Sequence, residues 1–189
     1  RDEILAELPE LPLERRTRFM SEYDLPEYDA DILTDERSLS DYFEEALKTY
    51  GGDPKAVSNW MMNEILRMLN DLGVTADQLQ LSPQNLAAVI KLVDAGMINN
   101  VTAKTVLVKA QETGVHPQKI VADEGLAQVS DESALQSVID QVLAEHPEEV
   151  ESLRGGKEGL FGWFMGQVMR GTRGKADPVR TRELLQEAL

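Results

Sequence analysis

Five times in this chain a residue able to cap a helix or shape a turn is followed at once by proline: Asp53-Pro54, Ser82-Pro83, His116-Pro117, His146-Pro147 and Asp177-Pro178. Proline suits the first position of a helix, where its missing N–H would have had no partner. Asp or Ser just before it can accept hydrogen bonds from the free N–H groups that follow. Closing signals stand at helical distance: Gly51-Gly52, Gly73, Gly96 and Gly114 each end a periodic stretch. Strand signals are nearly absent. This punctuation predicts an all-α protein built of short helices that pack as antiparallel hairpins.

The stretch after Asp53 carries Val57, Met61, Ile65, Leu66, Met68, Leu69 and Leu72 at three- and four-residue spacing, one broad apolar stripe on one helix. Further helices are expected at about 12–23, 34–50, 83–95, 102–113, 117–122, 131–145, 147–154, 157–171 and 178–189. Periodicity breaks at Asp123, Glu124 and Gly125 before Asp131 caps the next helix. The boundary is therefore set near residue 122, giving a helical domain over 1–121 and a smaller helical tail domain over 122–189.

Of the chain's 189 residues, 19 are Lys or Arg and 34 are Asp or Glu, a formal net charge of −15. Such a chain repels nucleic acid unless its positive charge is gathered locally. It is gathered: residues 155–189 hold 6 basic and 4 acidic side chains. Within them lies "GLFGWFMGQVMRGTRGKADP", from Gly159 to Pro178. At ~100° per residue, Gly159, Gly162 and Gly166 fall within about a sixth of the helix circumference, with Trp163 and Arg170 beside them. Leu160, Phe161, Phe164, Met165, Val168 and Met169 take the other side.

Each interior glycine costs up to about 1 kcal/mol against alanine, so something is expected close to that backbone. One reading is a neighbouring helix crossing at short distance, with Trp163 buried in the joint. The other is a phosphate backbone met by the bare face, Gln167 and Arg170, then by the "RGTRGK" loop with Arg173 and Lys175. Lys157 precedes the helix, and Arg180 and Arg182 follow on the last one. Glycines would let the loop's N–H groups reach oxygen atoms, and arginines offer forked donors to phosphate. Arg180 and Arg182 equally suit a solubilising role above Leu184, Leu185 and Leu189. Lys104 reads as a surface lysine, and Trp60, Met61 and Met62 as core.

There is no phosphate-binding G-x-x-x-x-G-K-[ST], no dinucleotide fingerprint and no H-E-x-x-H, and two histidines, each before a proline, make no metal site. The abundant carboxylates read as solvated helix faces. With no cysteine and no apolar run near the ~20 residues of a membrane span, the chain is expected to be cytoplasmic and without membrane contact. It starts at Arg1 within what reads as running sequence, so it is expected to be a piece of a longer polypeptide.

"ELPELPLERRTRFMSEYDLPEYDADILT" followed by "YFEEALKTYGGDPKAVSNWMMNEI" resembles the region after the catalytic domain in the B subunits of aspartyl/glutamyl-tRNA amidotransferases. "LVDAGMINNVTAKTV", "GLAQVSDESAL" and "GLFGWFMGQVMRGTRGKADP" resemble its tail domain, which also occurs in small stand-alone YqeY-like proteins. The resemblance covers essentially the whole chain. It implies a heterotrimer that converts Glu-tRNA(Gln) and Asp-tRNA(Asn) to the amides. The A subunit frees ammonia from glutamine, and the B subunit activates the carboxylate with ATP and magnesium in an N-terminal cradle domain that this chain does not contain.

Catalytic and metal residues of that family therefore have no positions here, and no cofactor is expected in this chain. The tail is implied to touch the tRNA elbow, with partner A and C subunits reached through the parent protein and the isolated piece monomeric. The rival is a helical protein-interaction module or mobile tether, as in the stand-alone proteins. An independent enzyme is disfavoured, because no nucleophile–base pair or metal set is visible.

Overall fold

The computed structural model describes residues 9–127 and 132–189, and the regular structure within them is helical, with no strand. Helix α1 runs Pro12–Glu22, α2 Glu27–Asp35, α3 Arg37–Tyr50, α4 Pro54–Trp60, α5 Leu66–Leu72, α6 Pro83–Asp94 and α7 Asn100–Thr113. They are followed by α8 Pro117–Asp123, α9 Glu132–Glu145, α10 Pro147–Arg154, α11 Gly159–Gly171 and α12 Pro178–Ala188. The chain divides into two compact units, Arg1–Lys91 with Leu107–Pro117 and Leu92–Val106 with Gln118–Leu189.

The cap–proline pairs act as the sequence suggests. Asp53 accepts from the Lys55 N–H at 2.9 Å, Asp177 from the Val179 N–H at 2.9 Å, and Ser82 Oγ from the Asn85 N–H at 3.1 Å. Each satisfies an N–H that the first helical turn leaves without a partner. The cap expected at Asp131 lies outside the described residues.

Two features depart from the expected helices. Glu27–Asp35 is a helix of its own, with Glu27 and Asp29 in its first turn, where acids favour the positive end of the peptide dipoles. It ends at Glu36, whose extended backbone (φ −119°, ψ 137°) separates it from α3. The long helix after Asp53 is interrupted between α4 and α5 by a π-helical turn, Met61–Ile65. Five-residue bonding there shifts the apolar stripe, so Met61 and Ile65 are fully buried while Leu72, expected inside, is exposed. Trp60 and Met62 on either side of Met61 are half-buried.

In the first unit Phe19, Leu33, Phe43, Val57, Met61 and Ile65 form the core, with the rings of Phe19, Tyr23 and Phe43 all within 6 Å of one another by their centroids (5.2, 5.1 and 5.7 Å). At its edge Glu44 of α3 accepts hydrogen bonds from Arg18 at 2.6 Å, from Tyr23 at 2.8 Å and from Arg15. Burial pushes the Glu44 carboxyl up, but the donors from Arg18, Arg15 and Tyr23 outweigh it and hold its pKa at about 2.

The second unit has its own core. Leu135, Ile139 and Val142 of α9 meet Phe164 and Val168 of α11, Ala176, and Leu184 and Leu185 of α12. Burying an aliphatic side chain contributes about 1.5–3 kcal/mol, so these eight residues suffice to orient α11. The face of α11 opposite to them is left outward.

Candidate nucleic-acid interface

The apolar side of α11 is filled as its periodicity requires, with Phe164 and Val168 buried and Leu160, Phe161, Met165 and Met169 packed around them. The glycine side is open. A Cβ built on Gly159, Gly162 or Gly166 would meet nothing within 4 Å. The expected short-distance helix crossing on this face is therefore absent among the described residues. Close approach happens instead at Gly171, where an added Cβ would stand 3.0 Å from Val138 Cγ1 of α9. Trp163 is not buried in a joint: it is 36% exposed, with its ring edge-on to His146 at 4.8 Å and to Phe164 at 5.0 Å.

Helix α11 ends in a hydrogen-bonded turn. The Arg173 N–H donates to the Arg170 carbonyl at 3.1 Å and the Gly174 N–H to the Met169 carbonyl at 2.7 Å, the paired closure of a left-handed helix stop. Arg173 (φ 55°) fills the left-handed position usually given to glycine, and Gly174 (φ 73°) follows in the same region. The buried Thr172 hydroxyl donates toward the Val168 and Met169 carbonyls and accepts the Ala176 N–H at 3.3 Å, while the Lys175 N–H donates to the Thr172 carbonyl at 3.1 Å.

Every main-chain N–H from Thr172 to Ala176 thus has a partner inside the turn or helix. The expectation that the loop's N–H groups reach outward to phosphate is corrected: what the turn offers outward is side chains.

Arg170 and Arg173 are exposed and Lys175 is half-buried, all three gathered at one helix end. Lys157 is exposed but sits before the opposite end of α11, on the order of 20 Å away at 1.5 Å per residue. Gln167 is half-buried and Arg182 exposed on α12. Among the described residues none of Lys157, Arg170, Arg173, Lys175 and Arg182 enters an ion pair. Arg180 does, with Glu132 at 2.5 Å and Glu183 at 2.8 Å.

One of the two roles of Asn99 carries no signal in the sequence. Its side-chain Nδ2 donates to the Gly174 carbonyl at 2.8 Å, while its Oδ1 accepts the Thr102 N–H at 2.9 Å and so caps α7. "NN" before a helix signals a cap, but nothing local signals a partner 75 residues away.

Among the described residues no group of three or more His, Cys, Asp or Glu could hold a metal ion, and no helix is long and apolar enough to cross a membrane. The fold and site define an acidic protein, helical and without strands among the described residues, in whose second unit Arg170, Arg173 and Lys175 gather at the end of one open-faced helix. The chain belongs to the family described as the GatB domain, whose model matches residues 41–189. It is 46% identical over its full length to the B subunit of the aspartyl/glutamyl-tRNA(Asn/Gln) amidotransferase of Solidesulfovibrio magneticus, covering 39% of that protein. It is 44% identical over its full length to the protein of the same name in Thermoanaerobacter sp., covering 40% of it, and 46% identical over 98% of its length to that of Trichlorobacter lovleyi, covering 39%. The chain thus spans about 40% of the length of these relatives.

Proposed function

We propose that this chain is a non-catalytic, tRNA-holding part of an amidotransferase B subunit, with a helical domain over 1–121 and a tail over 122–189. In this reading Arg170, Arg173 and Lys175 contact the phosphates of a folded tRNA, with Lys157, Gln167 and Arg182 extending the surface and Arg180 contributing less. The carboxylate chemistry, with its ATP and magnesium, belongs to a part of the parent protein outside this chain, in the cytoplasm and in company with A and C subunits. The tail holds the tRNA at its elbow while the acceptor end reaches that distant site.

The single observation that carries this reading is the open glycine face of α11 running into Arg170 and Arg173, which form no ion pair among the described residues of a chain of net charge −15. The relatives' names supply the class of RNA. Positive side chains rather than main-chain N–H groups make the contact, so recognition follows charge and the shape of the folded RNA rather than base sequence. Three phosphate contacts give a slope of log affinity against log salt of about −2.1 to −2.7, a loss of roughly 20- to 40-fold between 50 and 200 mM salt.

The test is titration of a tRNA(Gln) transcript with the chain and with its R170A/R173A/K175A variant at low salt, with helicity followed by circular dichroism. The expected result is unchanged helicity, weaker binding and a shallower salt slope. Equal affinity of the two proteins for the transcript would sink the proposal.

The exposure of Trp163 beside the bare face favours a second reading, in which α11 docks on a protein. A complex with partner subunits that survives ribonuclease and is lost on Trp163→Ala would support it.

A further inference from the structure

We infer that Asn99 is a positioning residue for the basic turn: it holds the main chain at Gly174 and thereby sets where Arg173 and Lys175 leave the surface. The inference rests on the reading of that turn as phosphate-facing, and adds what keeps it in place.

The turn does not choose its conformation by itself. It contains two successive left-handed residues, one of them an arginine, and a non-glycine residue there costs roughly 1–2 kcal/mol. The bonds from Thr172, Arg173 and Gly174 close it from within, but they travel with the turn and leave its orientation to other contacts. Asn99 supplies one from a distant part of the chain. The residue is itself well anchored: Ile98 before it is buried, its main-chain carbonyl accepts the N–H of buried Ala103 at 2.9 Å, and both belong to the same compact unit as the turn.

Both ends of the amide are used. Oδ1 accepts from the Thr102 N–H and Nδ2 donates to the Gly174 carbonyl. Rotating the amide by half a turn would set two donors against each other at one end and two acceptors at the other, so the orientation is unique. Serine at this position could still cap α7 but is too short to reach Gly174, and aspartate would cap but has no donor. The donor is what distinguishes asparagine here.

The experiment uses Asn99→Ser, which keeps the cap and adds no charge, with Asn99→Thr as a second neutral cap should the first fold poorly. Amide hydrogen exchange is expected to quicken about fivefold to tenfold at Lys175 and Ala176, the weight of one neutral hydrogen bond. Protection at Thr102 and Ala103 should change less than in the turn, and the melting temperature should fall only by the few degrees that one hydrogen bond is worth. Affinity for the tRNA(Gln) transcript should fall about threefold to tenfold, and N99S should add nothing in an R173A/K175A background, because it acts through those side chains.

Unchanged exchange in the turn overturns the inference. So does a loosened turn that binds the transcript as tightly as before while R173A/K175A weakens binding. If R173A/K175A itself has no effect on affinity, the phosphate reading is what fails, and the exchange data alone decide whether Asn99 holds the turn.

Discussion

Nη2 of Arg180 lies 2.5 Å from a carboxylate oxygen of Glu132, a residue 48 positions earlier in the chain. Its Nη1 donates to Glu183 at 2.8 Å. Arg180 therefore enters any encounter with an anion already neutralised, whereas Arg173, in the turn just before its helix, does not.

Replacing Arg173 by alanine should lower tRNA affinity several-fold and reduce the salt slope by about one. Arg180→Ala should change both by less than about a third as much, because an arginine already held by Glu132 and Glu183 has little phosphate contact to lose. Titrations at three salt concentrations separate the two. Equal effects would mean that the carboxylates give Arg180 up on binding.

Gly162→Ala should stabilise the chain by about 0.5–1 kcal/mol, since the residue is in a helix interior and a Cβ there meets open space. Gly171→Ala should fall well short of that, because its methyl group would press on Val138. Thermal melts of both variants give the comparison, and G162A should in addition leave helicity unchanged.

Thr181 is fully buried, and its hydroxyl has no hydrogen-bond partner among the described residues. Thr181→Val keeps the shape and removes a polar atom whose desolvation costs about 1–3 kcal/mol. A rise of about 1 kcal/mol in unfolding free energy by denaturant titration is expected, with the m-value unchanged.

Glu44 gives the first unit an acid limit. Its folded pKa, about 2, lies below the usual 4.5, so the folded state binds the proton less readily than the unfolded chain does. The stability it confers is complete above about pH 4.5 and is lost as pH falls toward 2. Glu44→Gln should remove on the order of 1–2 kcal/mol at neutral pH, screened by partial exposure, and flatten the stability profile between pH 2 and 4.5. Denaturant midpoints across that range measure it.

Helix starts were legible because Asp53, Ser82 and Asp177 do locally what their side chains suggest, and the family was legible because its motifs are long and ordered. The helix Glu27–Asp35 was not, since its apolar residues are few; Ala30 and Leu33 are buried only by what packs on them. The π-turn at Met61–Ile65 was hidden for the same reason, its extra residue being placed by packing rather than by periodicity. At the candidate site the two faces of α11 were readable from the wheel, but which face stays open depends on neighbours. The turn's N–H groups are taken up within five residues, by carbonyls at the end of α11 and by the Thr172 hydroxyl, whereas the fate of Arg180 depends on Glu132, 48 positions away, which leaves no mark in a local window.

Arg173 occupies a backbone slot that glycine would fill more comfortably. Arg173→Gly would relax the stereochemistry and delete a guanidinium in the same stroke, so under the proposed phosphate contact heat resistance and anion capture pull against each other at a single codon. Laboratory evolution for thermal tolerance alone should drift toward glycine there, and lines also selected for RNA retention should not.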